Sequence, residues 1–237
     1  MKQISNDVYC SNFLFNLDIK TKILPSQYND LPFLIIDNFL SEDICLEINK
    51  SILKDDDFEK AKLKKLENSS LNILDEEIRR TNIYSLDEKF KSIYEHNFRL
   101  FQRQIESFFN LALIASTEIQ VLEYLKGSFY SMHSDDSSML FDEEELVGFL
   151  PVCKERKLST VLFTSNYDYD AEEENSFSGG ELLFNFLFDK YGNNIEIKPK
   201  HGQLIIFPSN PYFTHEVKKV EKGRRISLVQ WHNVILN

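Results

Sequence analysis

The pattern of hydrophobic residues changes near residue 115, and this change constrains the fold more than any other feature of the sequence. Before it, apolar residues recur at helical spacing. Ile44 and Ile48 follow Ser41 in the arrangement of a capped amphipathic helix. A longer stripe follows Ser85, which begins a capping-box pattern. Its apolar members are Phe90, Ile93, Tyr94, Phe101, Ile105, Phe108, Phe109 and Ala112. Both stripes predict helices that cover a flat surface with one face.

After residue 115, short segments rich in β-branched and aromatic residues are separated by glycines, which is typical of strands. These segments are 118–125, 159–165, 181–188, 194–197, 203–207 and 225–236. Helices followed by a run of short strands predict a sheet-built core with the helices packed outside it. We therefore expect a mainly helical support region over residues 1–115, with one or two early strands, and a sheet-built domain over residues 116–237.

Charge and cysteine content narrow the class of protein. The 237 residues include 27 Lys and Arg against 38 Asp and Glu, a formal net charge of −11 at pH 7. This balance argues against nucleic acid as the main partner and slightly favours a basic over an acidic substrate. The three cysteines form no Cys-x-x-Cys pair, which fits a reducing compartment. With no signal-peptide or membrane-span pattern, we expect a cytoplasmic protein without a membrane partner.

Two residues near the start of the strand-rich half could bind a metal. His133 and Asp135 are two residues apart, so on a strand their side chains share a face, whereas Asp136 points the other way. A second histidine from a distant strand would complete the two-histidine, one-carboxylate facial triad of non-haem Fe(II) oxygenases. His215 begins such a candidate strand.

Two adjacent arginines, Arg224 and Arg225, lie nine and ten residues beyond that histidine. A guanidinium group binds a carboxylate with two parallel hydrogen bonds, so either arginine could hold a dicarboxylic acid inside a barrel. Strand alternation places the two side chains on opposite faces. The pattern alone does not decide which of them points inward.

Two motifs resemble the prolyl 4-hydroxylase-like family of Fe(II)/2-oxoglutarate-dependent dioxygenases. They are Tyr124-x-x-Gly127-x-x-Tyr130-x-x-His133-x-Asp135 and His215-x-Val217-x-x-Val220-x-x-Gly223-x-Arg225-x-Ser227-Leu228-x-x-Trp231. The resemblance covers about residues 116–232. It implies three ligands for Fe(II), namely His133, Asp135 and His215. It also implies that Arg225 binds the C5 carboxylate of 2-oxoglutarate, that Tyr130 hydrogen-bonds this cosubstrate and that Tyr124 lines its pocket.

The implied fold is α+β, with a double-stranded β-helix core (jelly-roll, cupin-like) buttressed by N-terminal helices. The implied cofactors are Fe(II), 2-oxoglutarate and O2, with ascorbate as an optional reductant. The expected reaction is hydroxylation of an unactivated C–H bond, in a prolyl or other residue of a peptide or protein. The alternatives are an oxygenase of a free amino acid or small natural product, and a catalytically silent module for binding or iron sensing. The substrate, the oxidised carbon, the role of the 136–158 insert and the oligomeric state stay open.

Overall fold

The computed structural model describes residues 1–19, 23–53, 59–60, 78–171 and 175–236. The helices in these residues are α1 (Asn12–Asn16), α2 (Glu42–Ile52), α3 (Glu88–Phe109) and a 3-10 helix at Pro211–Phe213. The strands are β1 (Lys2–Gln3), β2 (Tyr9–Cys10), β3 (Leu34–Ile36), β4 (Glu59–Lys60), β5 (Arg79–Arg80), β6 (Asn82–Ser85), β7 (Leu111–Ser116), β8 (Gln120–Tyr124), β9 (Phe129–His133), β10 (Ser137–Asp142), β11 (Glu145–Pro151), β12 (Leu158–Phe163), β13 (Asn166–Tyr167), β14 (Ser176–Gly179), β15 (Leu182–Phe188), β16 (Asn194–Ile197), β17 (Leu204–Pro208), β18 (His215–Val217), β19 (Val220–Gly223) and β20 (Arg225–Leu236).

Most of these strands form two facing sheets, which confirms the jelly-roll core. The small sheet has the order β1-β2-β15-β18-β9-β5, with β16 beside β15. The large sheet has the order β3-β17-β12-β20-β8-β6-β4, with β7 beside β20. Phe184 of the small sheet and Val161 and Phe207 of the large sheet belong to one buried cluster between them. Facing sheets of this kind enclose a cavity lined by every second side chain.

Helices α2 and α3 pack on the outer face of the large sheet. Ser41 caps α2, because its side chain accepts a hydrogen bond from the backbone N–H of Ile44. Tyr94 and Ile105 of α3 are buried in one cluster with Leu228 of β20. Each such side chain contributes roughly 1.5–3 kcal/mol when fully buried. Because alternate residues of β20 point to the helices, the residues between them point into the cavity.

Both ends of α3 differ from the sequence prediction. Asp87 is the N-cap residue, and its side chain makes no cap hydrogen bond. Ser85 instead ends β6, where it pairs with Gln120, so the predicted capping box is wrong. Asn110 ends the helix in the left-handed conformation with φ of 52°. Ala112, predicted on the helical stripe, therefore lies in β7.

The N-terminal part supplies more strands than the one or two that the sequence predicts. Strands β1 to β6 and most of β7 precede residue 116, and they extend both sheets. Most of them have two to four residues, which is too short to produce a recognisable alternation in sequence. The division into 1–115 and 116–237 stays a prediction. In the described part of the chain, no helix has the length and apolar character needed to cross a membrane.

The insert between the metal motif and β12 contains a hairpin. Strands β10 and β11 pair antiparallel, from Ser137 opposite Pro151 to Asp142 opposite Glu145. The two residues between them include Glu143, which has φ of 54°. The sequence of this insert has no regular alternation of apolar and polar residues. The reason is that the β10–β11 pair forms a separate two-stranded sheet, so neither of its faces is consistently buried.

His232 connects the large sheet to α3. Its ring stacks on Phe98, with centroids 4.7 Å apart and planes 3° apart. One ring nitrogen lies 2.8 Å from Oγ of Ser116 and the other 3.2 Å from Oγ1 of Thr160. Burial lowers the pKa of His232 to about 4. The folded protein therefore holds this imidazole neutral, although the unfolded chain protonates it near its ordinary pKa of about 6.5.

We expect this difference to make the protein less stable in mild acid. Between the two pKa values the unfolded state binds more protons, so stability is complete above about pH 6.5 and falls as the pH drops towards 4. The metal-free wild type should lose about 2 kcal/mol more unfolding free energy between pH 7.5 and pH 5 than His232→Gln does. Urea titrations at the two pH values measure this. His96→Gln, on the exposed side of α3, should behave like the wild type, and equal losses in wild type and His232→Gln would contradict the prediction.

Candidate active site

Three side chains that could bind a metal meet where β9 and β18 pair. The last residue of β9, His133, lies directly opposite the first residue of β18, His215. Asp135 follows in a bend, beyond the end of the strand on which the sequence places it. Its Oδ1 nevertheless lies 3.8 Å from Nε2 of His133. The candidate ligand atoms of all three residues are within 4.8 Å of one another. One ion could therefore contact all three side chains.

Backbone carbonyl groups orient both imidazole rings in the same way. Nδ1 of His133 is 2.9 Å from the carbonyl oxygen of Ser131, and Nδ1 of His215 is 2.9 Å from that of Phe213. A carbonyl oxygen only accepts hydrogen bonds, so each Nδ1 donates. Each Nε2 then carries the lone pair, which is the tautomer that a metal ligand requires.

The charge states of two of these residues also suit a cation. Burial and the neighbouring His215 lower the pKa of His133 to about 3, so its ring is neutral at pH 7. Burial opposes ionisation of Asp135, but the two imidazoles and a hydrogen bond from Ser159 hold its pKa below the usual value. A neutral imidazole and an ionised carboxylate are the forms that bind divalent metals.

One serine, supported by a second, holds the outer oxygen of this carboxylate. Oγ of Ser159, on β12, donates to Oδ2 of Asp135 at 2.5 Å. The same Oγ lies 2.8 Å from Oγ of Ser209, which follows β17. This contact leaves Oδ1 facing the histidines. Sequence reasoning missed both serines. The signal that could have found Ser159 is a polar residue in the largely apolar segment 159–165, which the sequence predicts as a strand.

Asp136 does not take part in this group. Its Oδ1 accepts hydrogen bonds from Ser137 at 2.6 Å and from Ser134 at 3.3 Å. Burial raises its pKa to about 6. The structure thus brings Asp135, and not Asp136, to the two histidines. Among the described residues, the three side chains at the β9–β18 pair are the one cluster that could hold a metal ion.

Arg225 projects into the same cavity from the large sheet. The cavity has a volume of about 630 Å³, and all three candidate ligands also line it. The guanidinium group lies 4.8 Å from the ring centroid of Tyr124 and 4.9 Å from that of Phe163. Nη1 donates to Oγ of Ser227 at 3.1 Å. Burial lowers the pKa of Arg225 to about 10, so it remains a cation at neutral pH.

The neighbouring Arg224 faces away from the cavity. Its Nε lies 2.9 Å from Oε1 of the buried Glu123. This ion pair satisfies the charge of Arg224, whereas Arg225 has no carboxylate partner among the described residues. Nε of Arg225 is moreover buried without a hydrogen-bond partner in that part of the chain. A buried arginine of this kind needs an anion that compensates its charge and accepts its free N–H group.

Gly180, just before β15, leaves room for this arginine. Gly180 has φ of 63°, a conformation that side chains disfavour. A Cβ there would lie 2.8 Å from Cγ2 of Val220 and 3.2 Å from Cδ of Arg225. Gly180 is therefore required by the close approach of Val220 and the buried Arg225, whereas a Cβ at Gly179 would meet Lys219 and Glu221 instead.

The two candidate tyrosines lie at opposite ends of this arrangement. The ring of Tyr130 stacks on His133, with centroids 3.6 Å apart and planes 13° apart. Burial raises its pKa to about 12, so the hydroxyl group stays protonated. Tyr124 packs against Arg225, as described above. Both tyrosines line the cavity.

The chemistry of these side chains fits the group that the motifs imply. Two imidazoles and one carboxylate are the donors of the facial Fe(II) site, which leaves coordination positions open for other ligands. The unpaired, buried Arg225 fits one carboxylate of a dicarboxylic acid. The residues could therefore hold Fe(II) and 2-oxoglutarate in one cavity.

Ser159→Ala should weaken binding of Mn(II), a stand-in for Fe(II), by about tenfold or more, because Asp135 loses the contact that orients it. Calorimetric titration of the metal-free protein measures this. The matched control is Ser51→Ala on α2, whose hydroxyl group donates to the Ile48 carbonyl within its own helix; this change should leave the affinity unchanged. Unchanged Mn(II) affinity in Ser159→Ala would show that the serine does not position the ligand.

Comparisons with known proteins agree with this site. Residues 119–233 match the model of the 2OG-Fe(II) oxygenase superfamily. A search of curated proteins finds no significant match. Among solved structures, a prolyl hydroxylase from Trichoplax adhaerens, in complex with a peptide fragment of the hypoxia inducible factor oxygen degradation domain, has a TM-score of 0.63 at 18% identity. The similarity covers 85% of this chain and 83% of that one.

Two further structures show the same fold. A prolyl-4-hydroxylase from Pseudomonas putida has a TM-score of 0.58 at 21% identity, covering 85% of this chain and 91% of that one. A viral collagen prolyl hydroxylase from Paramecium Bursaria Chlorella virus-1, in its 2OG complex, has a TM-score of 0.55 at 18% identity. The similarity covers 86% of this chain and 96% of that one. Residues 119–233 thus match the 2OG-Fe(II) oxygenase superfamily, and the chain is a 2-oxoglutarate-dependent dioxygenase with a prolyl hydroxylase-like fold.

Proposed function

We propose that this dioxygenase hydroxylates an unactivated C–H bond in a prolyl or other residue of a peptide or protein. In this proposal His133, Asp135 and His215 bind Fe(II). Arg225 binds the C5 carboxylate of 2-oxoglutarate. The observation that carries the proposal is that the three candidate ligands and an unpaired, buried arginine line one cavity.

The protein's part in the reaction is to position the reactants and to exclude water. When bound, Fe(II) with 2-oxoglutarate and O2 supplies the oxidising power, and 2-oxoglutarate is converted to succinate and CO2. Ser159 keeps one oxygen of Asp135 away from the ion. Arg225, held by Ser227, fixes the far end of the cosubstrate, and we propose that Tyr130 donates a hydrogen bond to it. The aromatic walls keep the site dry, which strengthens these charged contacts.

Two observations support a peptide substrate. The cavity of about 630 Å³ is of the size that holds a drug-sized ligand, so a substrate side chain fits beside the small cosubstrate. The fold resembles that of the Trichoplax adhaerens enzyme, whose structure contains a peptide. A free amino acid or small natural product is the alternative substrate. A silent module is disfavoured, because an unpaired buried arginine destabilises a protein that has no ligand for it.

Two accessory features complete the proposal. Ascorbate serves as an auxiliary reductant that keeps the iron in its ferrous state. The protein works in the cytoplasm, a reducing compartment that suits its three free cysteines, Cys10, Cys45 and Cys153.

The reaction itself is tested by succinate formation. Purified protein with Fe(II), 2-oxoglutarate and O2 is supplied with proline-containing peptides or with free amino acids. We expect peptide-dependent succinate and a product that has gained one oxygen atom by mass spectrometry. Turnover of free amino acids alone would favour the alternative substrate class. A product that has gained a chlorine atom instead of an oxygen atom would show that the reaction is not hydroxylation. Absence of succinate with every substrate would also overturn the proposed reaction.

The assignment of the carboxylate ligand is tested with adjacent aspartates. Asp135→Ala should lose nearly all substrate-dependent succinate formation, because the ion loses its anionic ligand. Asp136→Asn keeps an oxygen that accepts from Ser134 and Ser137, and should retain most activity. Both variants are assayed under the conditions above. Loss of activity in Asp136→Asn with retention in Asp135→Ala would mean that the wrong aspartate has been assigned.

Arg225→Ala should weaken 2-oxoglutarate binding by about a hundredfold, since a buried carboxylate that loses its charged partner costs about 3 kcal/mol. Calorimetric titration of the Mn(II)-loaded protein without O2 measures the affinity. Arg224→Ala is the matched control. It leaves the buried Glu123 unpaired and should lower stability, but not 2-oxoglutarate affinity. The opposite ranking of the two variants would show that Arg224 is the cosubstrate residue.

A further inference from the structure

Two more arginines line the cavity without a carboxylate partner among the described residues. They are Arg79 of β5 and Arg156, which precedes β12. Each guanidinium group lies on an aromatic ring: Arg79 is 4.5 Å from the ring centroid of Tyr130, and Arg156 is 3.8 Å from that of Trp231. Stacking of this kind holds a guanidinium group in place but leaves its charge uncompensated.

The two arginines lie near different candidate metal ligands. Arg79 pairs with Tyr130 across the β5–β9 ladder, and the other face of the Tyr130 ring stacks on His133. Nε of Arg79 is buried and has no hydrogen-bond partner in the described part of the chain. Nη1 of Arg156 lies 3.4 Å from the backbone carbonyl oxygen of Asp135. A substrate that enters this cavity would therefore meet two further cations.

The charges in the cavity do not balance without a further anion. Among the described residues that line it, three arginines face a single carboxylate, that of Asp135. Bound Fe(II) is compensated by Asp135 and by the C1 carboxylate of 2-oxoglutarate, and Arg225 by the C5 carboxylate. The charges of Arg79 and Arg156 are then left over. Buried or half-buried guanidinium groups are most stable when a carboxylate or phosphate meets them.

We propose, on the basis of the dioxygenase function above, that Arg79 and Arg156 bind a carboxylate of the substrate close to the oxidised carbon. The substrate class is an acidic one: a peptide segment with Asp or Glu beside the hydroxylated residue, or a free acidic amino acid. This reverses the expectation drawn from the net charge of −11. The local field in a cleft, rather than the net charge of the chain, decides which ligand binds there.

Binding is the first test, because it does not depend on turnover. Fluorescently labelled proline-centred peptides carry Asp, Asn or Lys on both sides of the proline. They are titrated into protein loaded with Mn(II) and 2-oxoglutarate, without O2. The Asp peptide should bind at least tenfold more tightly than the Asn peptide of the same shape, and the Lys peptide most weakly. Unlabelled aspartate and glutamate, added as competitors, form the free amino acid arm.

Variants then assign the preference to the two arginines. Arg79→Gln and Arg156→Gln should each remove most of the Asp-over-Asn preference and raise KM for the Asp peptide more than they lower kcat. Arg156→Glu should bind the Lys peptide more tightly than the Asp peptide, a reversal that misfolding cannot produce. Arg99→Gln, on the exposed face of α3, is the matched control and should keep the wild-type preference.

The outcomes separate this proposal from the proposed reaction. The proposal is supported if the protein prefers Asp peptides tenfold, or if free acidic amino acids displace the peptide, and if this effect depends on both arginines. Which of the two effects occurs identifies the source of the carboxylate. Equal affinities for Asp and Asn peptides without such displacement, or a preference that survives both Gln variants, overturn it even when the enzyme turns over its peptides. A tenfold loss of 2-oxoglutarate affinity in either Gln variant also overturns it, because that arginine would then serve the cosubstrate. Absence of succinate with every substrate overturns the reaction instead.

Discussion

The antiparallel pairing of β9 with β18 is the contact on which the rest of the site depends. It places His133 directly opposite His215, although the two residues are far apart in sequence. Each histidine also donates Nδ1 to a carbonyl group of its own chain segment, so the ladder fixes both the position and the tautomer of the rings. A shift of one residue in this pairing would turn one imidazole to the outer face of the sheet.

The large sheet has to accommodate buried positive charge among mostly apolar side chains. Two neighbouring residues of β20 do this in opposite ways. Arg224 finds its partner within the protein, the buried Glu123. Among the residues that the structure describes, Arg225 is supported only by aromatic rings and the hydroxyl group of Ser227. The charge of Arg224 is compensated in the folded chain, whereas that of Arg225 requires a ligand. This difference separates a structural arginine from one that can bind a cosubstrate.

The sequence could predict those parts of the fold that rest on local periodicity or on an ordered set of motifs. The segments 194–197 and 225–236 match β16 and β20 residue for residue, and the Ser41 cap of α2 is present. The capping box at Ser85 is wrong, because pairing with β8 draws this residue into a strand. The short N-terminal strands and the β10–β11 hairpin could not be predicted, because their pairing is set by partners rather than by their own composition.

The sequence by itself determined which residue types are available: two histidines and an aspartate at strand ends, an arginine that opens the last strand, and enough apolar residues to surround them. Strand alternation left open whether Arg225 or Arg224 faces the cavity, and the family resemblance implied Arg225. The tertiary structure places Arg225 there, because α3 covers the other side of β20. It also placed Ser159 against Asp135, and Arg79 and Arg156 beside the ligands. These contacts join segments distant in the chain, and their geometry follows from strand pairing, which no local pattern encodes.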